Sequence, residues 1–310
     1  MLEGLRQTKL RATHTGSVAA RALRDGARGR VHSVFERSAY LCIRDRLICL
    51  GPPTLGNGPL NLLCEPWPCE GARRLHTNGL VRVEQRLLQV GHALTVSLAG
   101  AEVWSPKPTA AWDPRRLGLG LVALAGALPK ALPEEGLAPL LHASGESLDD
   151  EPPVAAAARA AAEDLGRLVA RSVAGGACRV DAEPITALIG LGPGLTPSGD
   201  DFLGGALVAL SLLGQNALRV SLWRALHPLV ATQCNEISGA HLAAAAAGLG
   251  SGALHELLDA VIAGQVEPIP GLVKAVASIG HTSGLDALAG ATIVLRAASS
   301  REAIRTSVPA

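Results

Sequence analysis

The sequence is poor in aromatic side chains and in lysine. Its 310 residues include two Phe, one Tyr and four Trp, too few to suggest a protein that stacks nucleic-acid bases on aromatic rings. Four Lys and 24 Arg are balanced by 27 acidic residues, and the formal net charge is +1. A chain so close to neutrality has no basic footprint for DNA, RNA or an anionic membrane. We therefore expect neither nucleic acid nor membrane among its partners.

The sequence also lacks a long uninterrupted apolar segment. A long uncharged and mainly apolar run lies between Asp201 and Arg219, and it contains three glycines, a Gln and an Asn. A membrane-spanning helix needs about 20 mostly apolar residues, so we interpret this run as a buried core helix. The basic N-terminus is not followed by the apolar segment of a signal peptide. These absences predict a soluble, cytoplasmic protein.

Six cysteines stand at positions 42, 49, 64, 69, 178 and 234. Without a secretion signal they are expected to be reduced thiols rather than a disulfide framework. Cys64, Cys69 and His76 are zinc-ligand side chains, but their spacing is loose, prolines intervene and a fourth ligand is not obvious. Cys178 and Cys234 lack a motif that activates a thiolate. The sequence predicts neither a metal site nor a nucleophilic cysteine.

Two kinds of hydrophobic periodicity predict the fold class. Between residue 31 and about residue 104, apolar and polar side chains alternate, as in strands. The alternating apolar positions are Leu41, Ile43, Val81, Val83, Leu94, Val96 and Leu98. A polar break before Leu47–Leu50 suggests a hairpin. From Pro153 onward the pattern is helical, so we predict an α+β protein with a β-rich N-terminal half and an Ala/Gly-rich helical C-terminal half.

The composition also predicts a domain boundary near residue 150. Proline-containing segments at 105–116 and 133–153 separate the two patterns, so we predict a β-rich domain at 1–150 and a helical domain at 151–310. The Gly and Pro content of Gly51–Pro59 predicts a long ordered or functional loop. The predicted helical segments are 154–173, 200–213, 217–230, 239–248, 252–263, 270–278 and 285–297.

The most informative motif is Gly-Leu-Gly-Pro-Gly-Leu-Thr-Pro-Ser-Gly-Asp-Asp at 190–201. Its glycines predict an irregular loop, followed by an apolar helix that a threonine or serine side chain caps. Free backbone N–H groups and hydroxyls at such a helix end hold phosphate or carboxylate. The candidate anion-binding residues are Gly192, Gly194, Thr196, Ser198 and Gly199.

Two acidic residues, Asp200 and Asp201, end this motif, and we take both as candidate catalytic residues. Two carboxylates repel a bound anion unless a cation lies between them, unless they face substrate N–H groups, or unless one caps the helix. The sequence predicts no cofactor with certainty, and Mg²⁺ is possible. The motif is neither a Walker loop nor a dinucleotide fingerprint. A Gly-rich turn and a capped helix without a ligand is the purely structural alternative.

A second segment repeats the pattern 85 residues later. Ser283, Gly284 and Asp286 reproduce the Ser-Gly-x-Asp spacing of the first motif, and five positions match in all. Two such helix N-termini could face each other across one pocket, where His281 would add a readily titratable group. We take His281 and Asp286 as candidate catalytic residues, and Ser283 and Gly284 as candidate binding residues. Alternatively, each motif caps its own helix and the two do not meet, or the similarity arose by chance in a chain rich in Ala, Gly and Leu.

A polar segment at 232–241 lies between the two motifs. It carries Glu236, Ser238 and His241 in a weakly periodic region. One interpretation is a partly buried polar patch, and the other is a functional site. Ser238 is therefore included among the candidate binding residues.

The segments Gly190–Gly205 and His281–Asp286 resemble the hallmark motifs of the AllH family, bacterial proteins long known as a domain of unknown function. Val31–Phe35 and the Gly56–Pro59 loop resemble the N-terminal half of that family. The resemblance therefore extends over nearly the whole chain. The family is named after AllH, a subunit of the oxamate carbamoyltransferase of allantoin catabolism.

This resemblance implies a subunit of a complex that converts oxalurate and phosphate into oxamate and carbamoyl phosphate, with the other subunits as partners. It leaves open whether the chain holds the reacting centre or is a non-catalytic assembly subunit whose motifs cap helices at a partner interface. The residues leave a third hypothesis, a small-molecule kinase. No lysine lies near the Gly-rich loop to neutralise a nucleotide phosphate, although arginine could substitute.

Overall fold

The structure is a computed structural model that describes residues 7–68, 71–108, 111–129, 132–133, 135–142, 152–176 and 183–300. The chain folds into two compact units, Met1–Pro106 and Lys107–Ala310. The first is β-rich and the second is helical, which confirms the predicted α+β class. The boundary predicted near residue 150 falls on residues outside the described ranges.

The described part of the first unit contains nine strands and a short helix, α1 (Ser17–Ala22). Short 3₁₀ helices follow at Pro53–Leu55 and Gly71–Arg74. The strands are β1 (Thr8–Gly16), β2 (Arg28–Val34), β3 (Ala39–Ile43), β4 (Arg46–Gly51), β5 (Asn61–Glu65), β6 (Leu80–Glu84), β7 (Leu87–Val90), β8 (Leu94–Ser97) and β9 (Glu102–Trp104).

These strands form one sheet in the order β5-β4-β3-β2-β6-β7-β8-β1-β9. Because β1 also pairs with β5, eight strands close into a ring, and β9 extends along β1. Val81 and Val83 on β6 are buried, whereas Leu80 on the same strand is exposed. The period of two in the sequence therefore corresponds to alternation between the apolar inside and the outside of the ring.

The hairpin predicted before Leu47–Leu50 is formed by β3 and β4. The two strands pair antiparallel, with Ile43 opposite Arg46. Arg44 and Asp45 make the two-residue turn, and their φ angles are +49° and +57°. Positive φ at both positions is what a type I′ hairpin turn requires, since this turn matches the twist of the strands.

The second unit is helical, and each predicted helical segment corresponds to one of its helices. Its first helix was not predicted, because it begins inside a proline-containing segment. Asp113 caps that helix by accepting hydrogen bonds from the Arg115 and Arg116 N–H groups at 3.0 Å. The helices are α2 (Pro114–Ala127), α3 (Pro153–Val173), α4 (Glu183–Thr186), α5 (Ser198–Leu212), α6 (Asn216–Gln233), α7 (Glu236–Ala246), α8 (Gly252–Ala263), α9 (Ile269–Ala277) and α10 (Ser283–Ala298).

Helix α5 lies in the core of the second unit. Phe202 is fully buried, as are most residues of α5 up to Leu210. The uncharged run between Asp201 and Arg219 holds this core helix and the start of the next one, because Gly214 turns the chain with a φ of +70°. Within the described ranges, every helix is too short or too polar to cross a membrane.

Candidate functional site

The two Gly-rich motifs form the N-terminal ends of α5 and α10, which pack against each other. Each helix begins at the serine of its Ser-Gly-x-Asp motif. The Gly199 N–H donates to the Leu191 carbonyl oxygen at 2.9 Å, and the Gly284 N–H donates to the Ile279 carbonyl oxygen at 3.1 Å. In both motifs the glycine N–H is therefore bound by a carbonyl oxygen of the segment before the helix, eight residues back in the first motif and five in the second.

Glycines permit the close crossing of the two helices. A Cβ on Gly205 would lie 1.8 Å from the carbonyl oxygen of Ala287, and a Cβ on Gly290 would lie 1.9 Å from that of Phe202. Gly290 and Ala287 stand 85 positions after Gly205 and Phe202. The same contact is thus made twice with the roles exchanged, as expected for two segments related by a local twofold axis.

Hydroxyl and carboxyl groups also cross between the two helices. The Ser283 hydroxyl interacts with the Asp201 carboxyl, and the Ser198 hydroxyl interacts with the Asp286 carboxyl. Oγ1 of Thr196 lies 2.9 Å from Oγ of Ser283. Each helix therefore supplies a hydroxyl to the carboxyl of the other, and the two motifs form one cluster.

The two carboxyl groups of this cluster have little contact with water: Asp286 is fully buried, and Asp201 is half-buried. Burial raises the pKa of Asp201 to about 8, and the charge of Asp286 acts in the same direction. Burial also raises the pKa of Asp286, although the Leu137 N–H donates to its Oδ1 at 2.6 Å. Oδ2 of each aspartate is buried without a hydrogen-bond partner among the described residues. The pair thus retains a proton near neutral pH and has acceptor capacity left for a ligand.

Asp200 has a different environment from its neighbour. Its Oδ1 accepts a hydrogen bond from the Gly190 N–H at 2.8 Å, and its Oδ2 accepts one from the Ser238 hydroxyl at 2.5 Å. Both carboxyl oxygens therefore have protein partners. Burial and the nearby Asp200 raise the pKa of Cys234 to about 12, so this thiol is protonated. The predicted residue Ser238 thus contacts the motif through Asp200, and it fixes α7 against α5.

Comparison with protein families gives two matches. The description "AllH family N-terminal domain" matches residues 11–103, and "Oxamate carbamoyltransferase subunit AllH" matches residues 188–295. The chain belongs to the AllH family. The second match contains both Ser-Gly-x-Asp motifs. No curated protein and no solved structure matches the chain.

Other predicted residues of this AllH-family chain lie outside the hydroxyl–carboxyl cluster. The His281 side chain is 82% exposed, and its Nε2 lies 3.4 Å from Glu135. His281 therefore points to the surface instead of towards Asp201 and Asp286. Burial lowers the pKa of His241 to about 4, and Glu236 is an exposed residue in the first turn of α7.

The loop before α5 differs in detail from the prediction. Gly192 and Gly194 have φ angles of +100° and +104°, as expected for an irregular loop. Gly192 packs beside Ser198, whereas Gly194 is exposed. The predicted side-chain cap is absent, because Pro197 is the residue preceding the helix and the Thr196 hydroxyl contacts Ser283 instead.

Sequence reasoning missed Gly136 and Leu137, which cover Asp286. The φ of Gly136 is +86°, and a Cβ on it would lie 2.6 Å from Oδ1 of Asp286. This close approach brings the Leu137 N–H to the same oxygen. The two residues lie between the segments that the AllH-family models match, and no local pattern marks them.

The cluster supplies few metal ligands. In the ranges that the structure describes, no group of three or more His, Cys, Asp and Glu side chains is placed to hold a metal ion. Burial raises the pKa of Cys64 far above its usual range. Cys69, weighed as a metal ligand, and Cys178, weighed as a nucleophile, lie outside those ranges. In the cluster itself, Asp201 and Asp286 are the carboxylates that could contact Mg²⁺.

Proposed function

We propose that this chain handles substrate in an oxamate carbamoyltransferase-like complex of cytoplasmic allantoin catabolism. The proposed reaction converts oxalurate and phosphate into oxamate and carbamoyl phosphate, and the remaining subunits of the complex are the partners. Two features support the proposal. The family carries the description of an oxamate carbamoyltransferase subunit, and two buried carboxyl groups from a repeated motif meet in one cluster.

The observation that carries the proposal is the pair of unpartnered Oδ2 atoms on Asp201 and Asp286. These atoms suit a ligand rich in N–H groups, and the ureido end of oxalurate carries three. In the bound state the hydroxyls of Thr196, Ser198 and Ser283 turn from each other and from the aspartates, and they donate to its carboxylate or to phosphate. Fixed dipoles in a dry site stabilise developing charge better than water does.

In this mechanism Asp201 is the general acid. A phosphate oxygen attacks the carbamoyl carbon of oxalurate, the bond from that carbon to the oxamate nitrogen breaks, and Asp201 gives its proton to the leaving nitrogen. The aspartate then recovers a proton that the phosphate releases. A carboxyl group that is still protonated near pH 7 is suited to this role, because its pKa lies near the working pH.

The remaining residues have supporting roles. Asp286 accepts N–H groups of the substrate. Gly199 and Gly284 let each helix start pack against the carbonyl oxygen of Leu188 or Val276, and the Gly192–Gly194 loop leads into the first of these helix starts. Asp200 and Ser238 are positioning residues, since both oxygens of Asp200 are already hydrogen-bonded. We assign His281 no step, because its side chain is 82% exposed.

A second candidate function is a non-catalytic assembly subunit. The observation that favours it is that the same hydroxyls and carboxyls join α5 to α10. In that case the cluster stabilises a surface for partner subunits, and substrate binds elsewhere in the complex.

The test is activity of the reconstituted complex with Asp201→Asn in place of the wild-type chain. Loss of a general acid should lower kcat by about 10²- to 10⁴-fold, while the subunits still elute together on gel filtration. Glu256→Gln is the matched control, since Glu256 is an exposed carboxylate on α8, and it should leave kcat unchanged. Full activity of Asp201→Asn would refute the mechanism, and loss of the complex would favour the assembly function.

Binding can be tested on the isolated chain. Thermal unfolding would be followed with phosphate, carbamoyl phosphate, oxalurate, oxamate and ATP, each with and without Mg²⁺. A ligand at 100 times its Kd adds about 2.7 kcal/mol to the free energy of unfolding. Stabilisation by oxalurate that disappears in Asp201→Asn supports the proposal. Stabilisation by ATP alone would favour the kinase hypothesis.

A further inference from the structure

The two aspartates that the repeated motif brings together differ in one contact. The hydrogen bonds to the Asp201 carboxyl come from the hydroxyls of Ser283 and Thr196. The Asp286 carboxyl also has two hydroxyl partners, and in addition the Leu137 N–H donates to its Oδ1 at 2.6 Å. Within the described ranges, no backbone N–H takes the corresponding place at Asp201. A segment outside both motifs therefore makes the two carboxyls unequal.

The two kinds of donor differ in the protonation states that they accept. A hydroxyl can donate to a carboxylate or accept the proton of a carboxylic acid, whereas a backbone N–H can only donate. A hydrogen bond donated to a carboxylate favours its charged form. The Leu137 N–H therefore opposes protonation of Asp286, while the hydroxyls at Asp201 can accept its proton.

Segment 136–142 holds the Leu137 N–H in place. Leu137 is fully buried, and the Leu140 N–H donates to its carbonyl oxygen at 3.0 Å. At the other end of the segment, Arg296 of α10 donates to the His142 carbonyl oxygen at 3.1 Å. The segment is thus attached to α10 at both of its ends, and its N–H donor is preorganised.

Two effects compete for the proton that the aspartates share. Asp286 is fully buried and Asp201 is half-buried, so burial alone would favour a neutral Asp286. A hydrogen bond to a charged group is strong enough to shift a titration by about one to two pH units in the opposite direction. The charge of Asp200 adds to this effect, because it raises the pKa of Asp201. The nearby pair of His281 and Glu135 is exposed, so solvent screens its charges.

We propose that Gly136 and Leu137 are positioning residues that direct this proton to Asp201 and keep Asp286 ionised. Gly136 is needed because a Cβ at this position would lie 2.6 Å from Oδ1 of Asp286 and would separate that oxygen from the N–H. The inference rests on the proposed function, in which Asp201 gives a proton and Asp286 accepts N–H groups. It accounts for the different roles of two carboxyls that come from one repeated motif.

The location of the proton can be measured on the full chain by ¹³C NMR of labelled aspartate carboxyls. Asp201→Asn and Asp286→Asn each remove one signal and thereby assign the pair. At pH 6, the Asp201 signal of the wild type should stand at its protonated position and the Asp286 signal at its ionised position. Activity plays no part in this measurement, so its result is separate from the test of the proposed function.

An ester in place of the Leu137 amide removes only the N–H donor. The Asp286 carboxyl should then titrate about one to two pH units higher. At pH 6 its signal should move towards the protonated position, while the Asp201 signal moves towards the ionised one. The same ester at Leu140 is the matched control, since it removes a hydrogen bond of the same segment but no donor to Asp286. It should leave both signals as in the wild type.

Gly136→Ala should produce the same change as the ester at Leu137. Gly175→Ala should not, because this glycine also has a positive φ but has no neighbour within 4 Å. The two esters decide if Gly136→Ala does not fold. The inference is overturned if Asp286 holds the proton in the wild type, if the ester at Leu137 leaves both signals unchanged, or if the ester at Leu140 moves them equally. Full activity of a complex that contains Asp201→Asn would instead refute the proposed function and leave the position of the proton unaffected.

Discussion

Replacing Asp201 by asparagine should remove a pH dependence from the stability of the helical unit. An aspartate in the unfolded chain has a pKa of about 3.9, while the pKa of Asp201 in the folded protein is about 8. Between these values the folded protein holds a proton that the unfolded chain has released. The stability that Asp201 contributes is therefore complete below pH 4 and is lost progressively as the pH rises to about 8.

The magnitude of this pH dependence follows from the single proton that Asp201 retains in the folded protein. The free energy of unfolding should fall by about 1.4 kcal/mol per pH unit because of Asp201, or about 3 kcal/mol from pH 5 to pH 7. A side-chain amide is neutral throughout and cannot contribute this slope. The amide introduced by Asp201→Asn keeps the shape of a protonated carboxyl, so this variant should gain about 3 kcal/mol relative to wild type over the same interval.

The assay is urea unfolding at pH 5, 6 and 7, followed by far-ultraviolet circular dichroism, to which the helices of the second unit contribute most. Glu256→Gln provides the control, because it removes an exposed carboxylate from the same unit. If the stability of Asp201→Asn runs parallel to that of wild type across this pH range, Asp201 is ionised in the folded protein. The general-acid mechanism would then be wrong as well.

Two other substitutions test the packing around the cluster. Gly205→Ala should destabilise the protein by about 3 kcal/mol or more, since its Cβ would lie 1.8 Å from the Ala287 carbonyl oxygen. The control Gly204→Ala should be neutral or slightly stabilising, because its Cβ would lie 3.8 Å from its nearest neighbour. Thermal unfolding of both variants checks this, and equal effects would contradict the close crossing of α5 and α10. Ser238→Ala should lower the free energy of unfolding by about 1–3 kcal/mol, because it leaves one oxygen of the buried Asp200 without its hydrogen-bond partner. Urea unfolding measures this change, and an unchanged midpoint would contradict the contact.

Hydrophobic periodicity predicted most of the fold where one face of an element is clearly apolar. The segment 252–263 coincides with α8, and the alternation at Val81 and Val83 coincides with β6. Strand β1 was missed because its pattern is interrupted: its register against β5 shifts between Ala12 and His14. A bulge of this kind moves side chains to the other face and breaks the period of two.

The candidate site was predictable to the extent that it is built from a repeat. The matching Ser-Gly-x-Asp motifs indicated that Asp201 and Asp286 belong together, because equal spacing at two helix ends implies equal geometry. The orientation of His281 was not predictable, since it precedes the helix and no periodicity fixes its direction. The Leu137 contact to Asp286 spans 149 residues of sequence, and such a tertiary contact leaves no local signal.

The exchange of hydroxyls between α5 and α10 has a consequence for the evolution of this family. Ser283 serves the carboxyl at 201, and Ser198 serves the carboxyl at 286, so each helix carries half of two separate pairs. A substitution at one serine changes the environment of an aspartate on the opposite helix and not that of its own. In an alignment of homologues, positions 198 and 286 should therefore covary, as should 201 and 283, while the two positions within each motif should vary more independently.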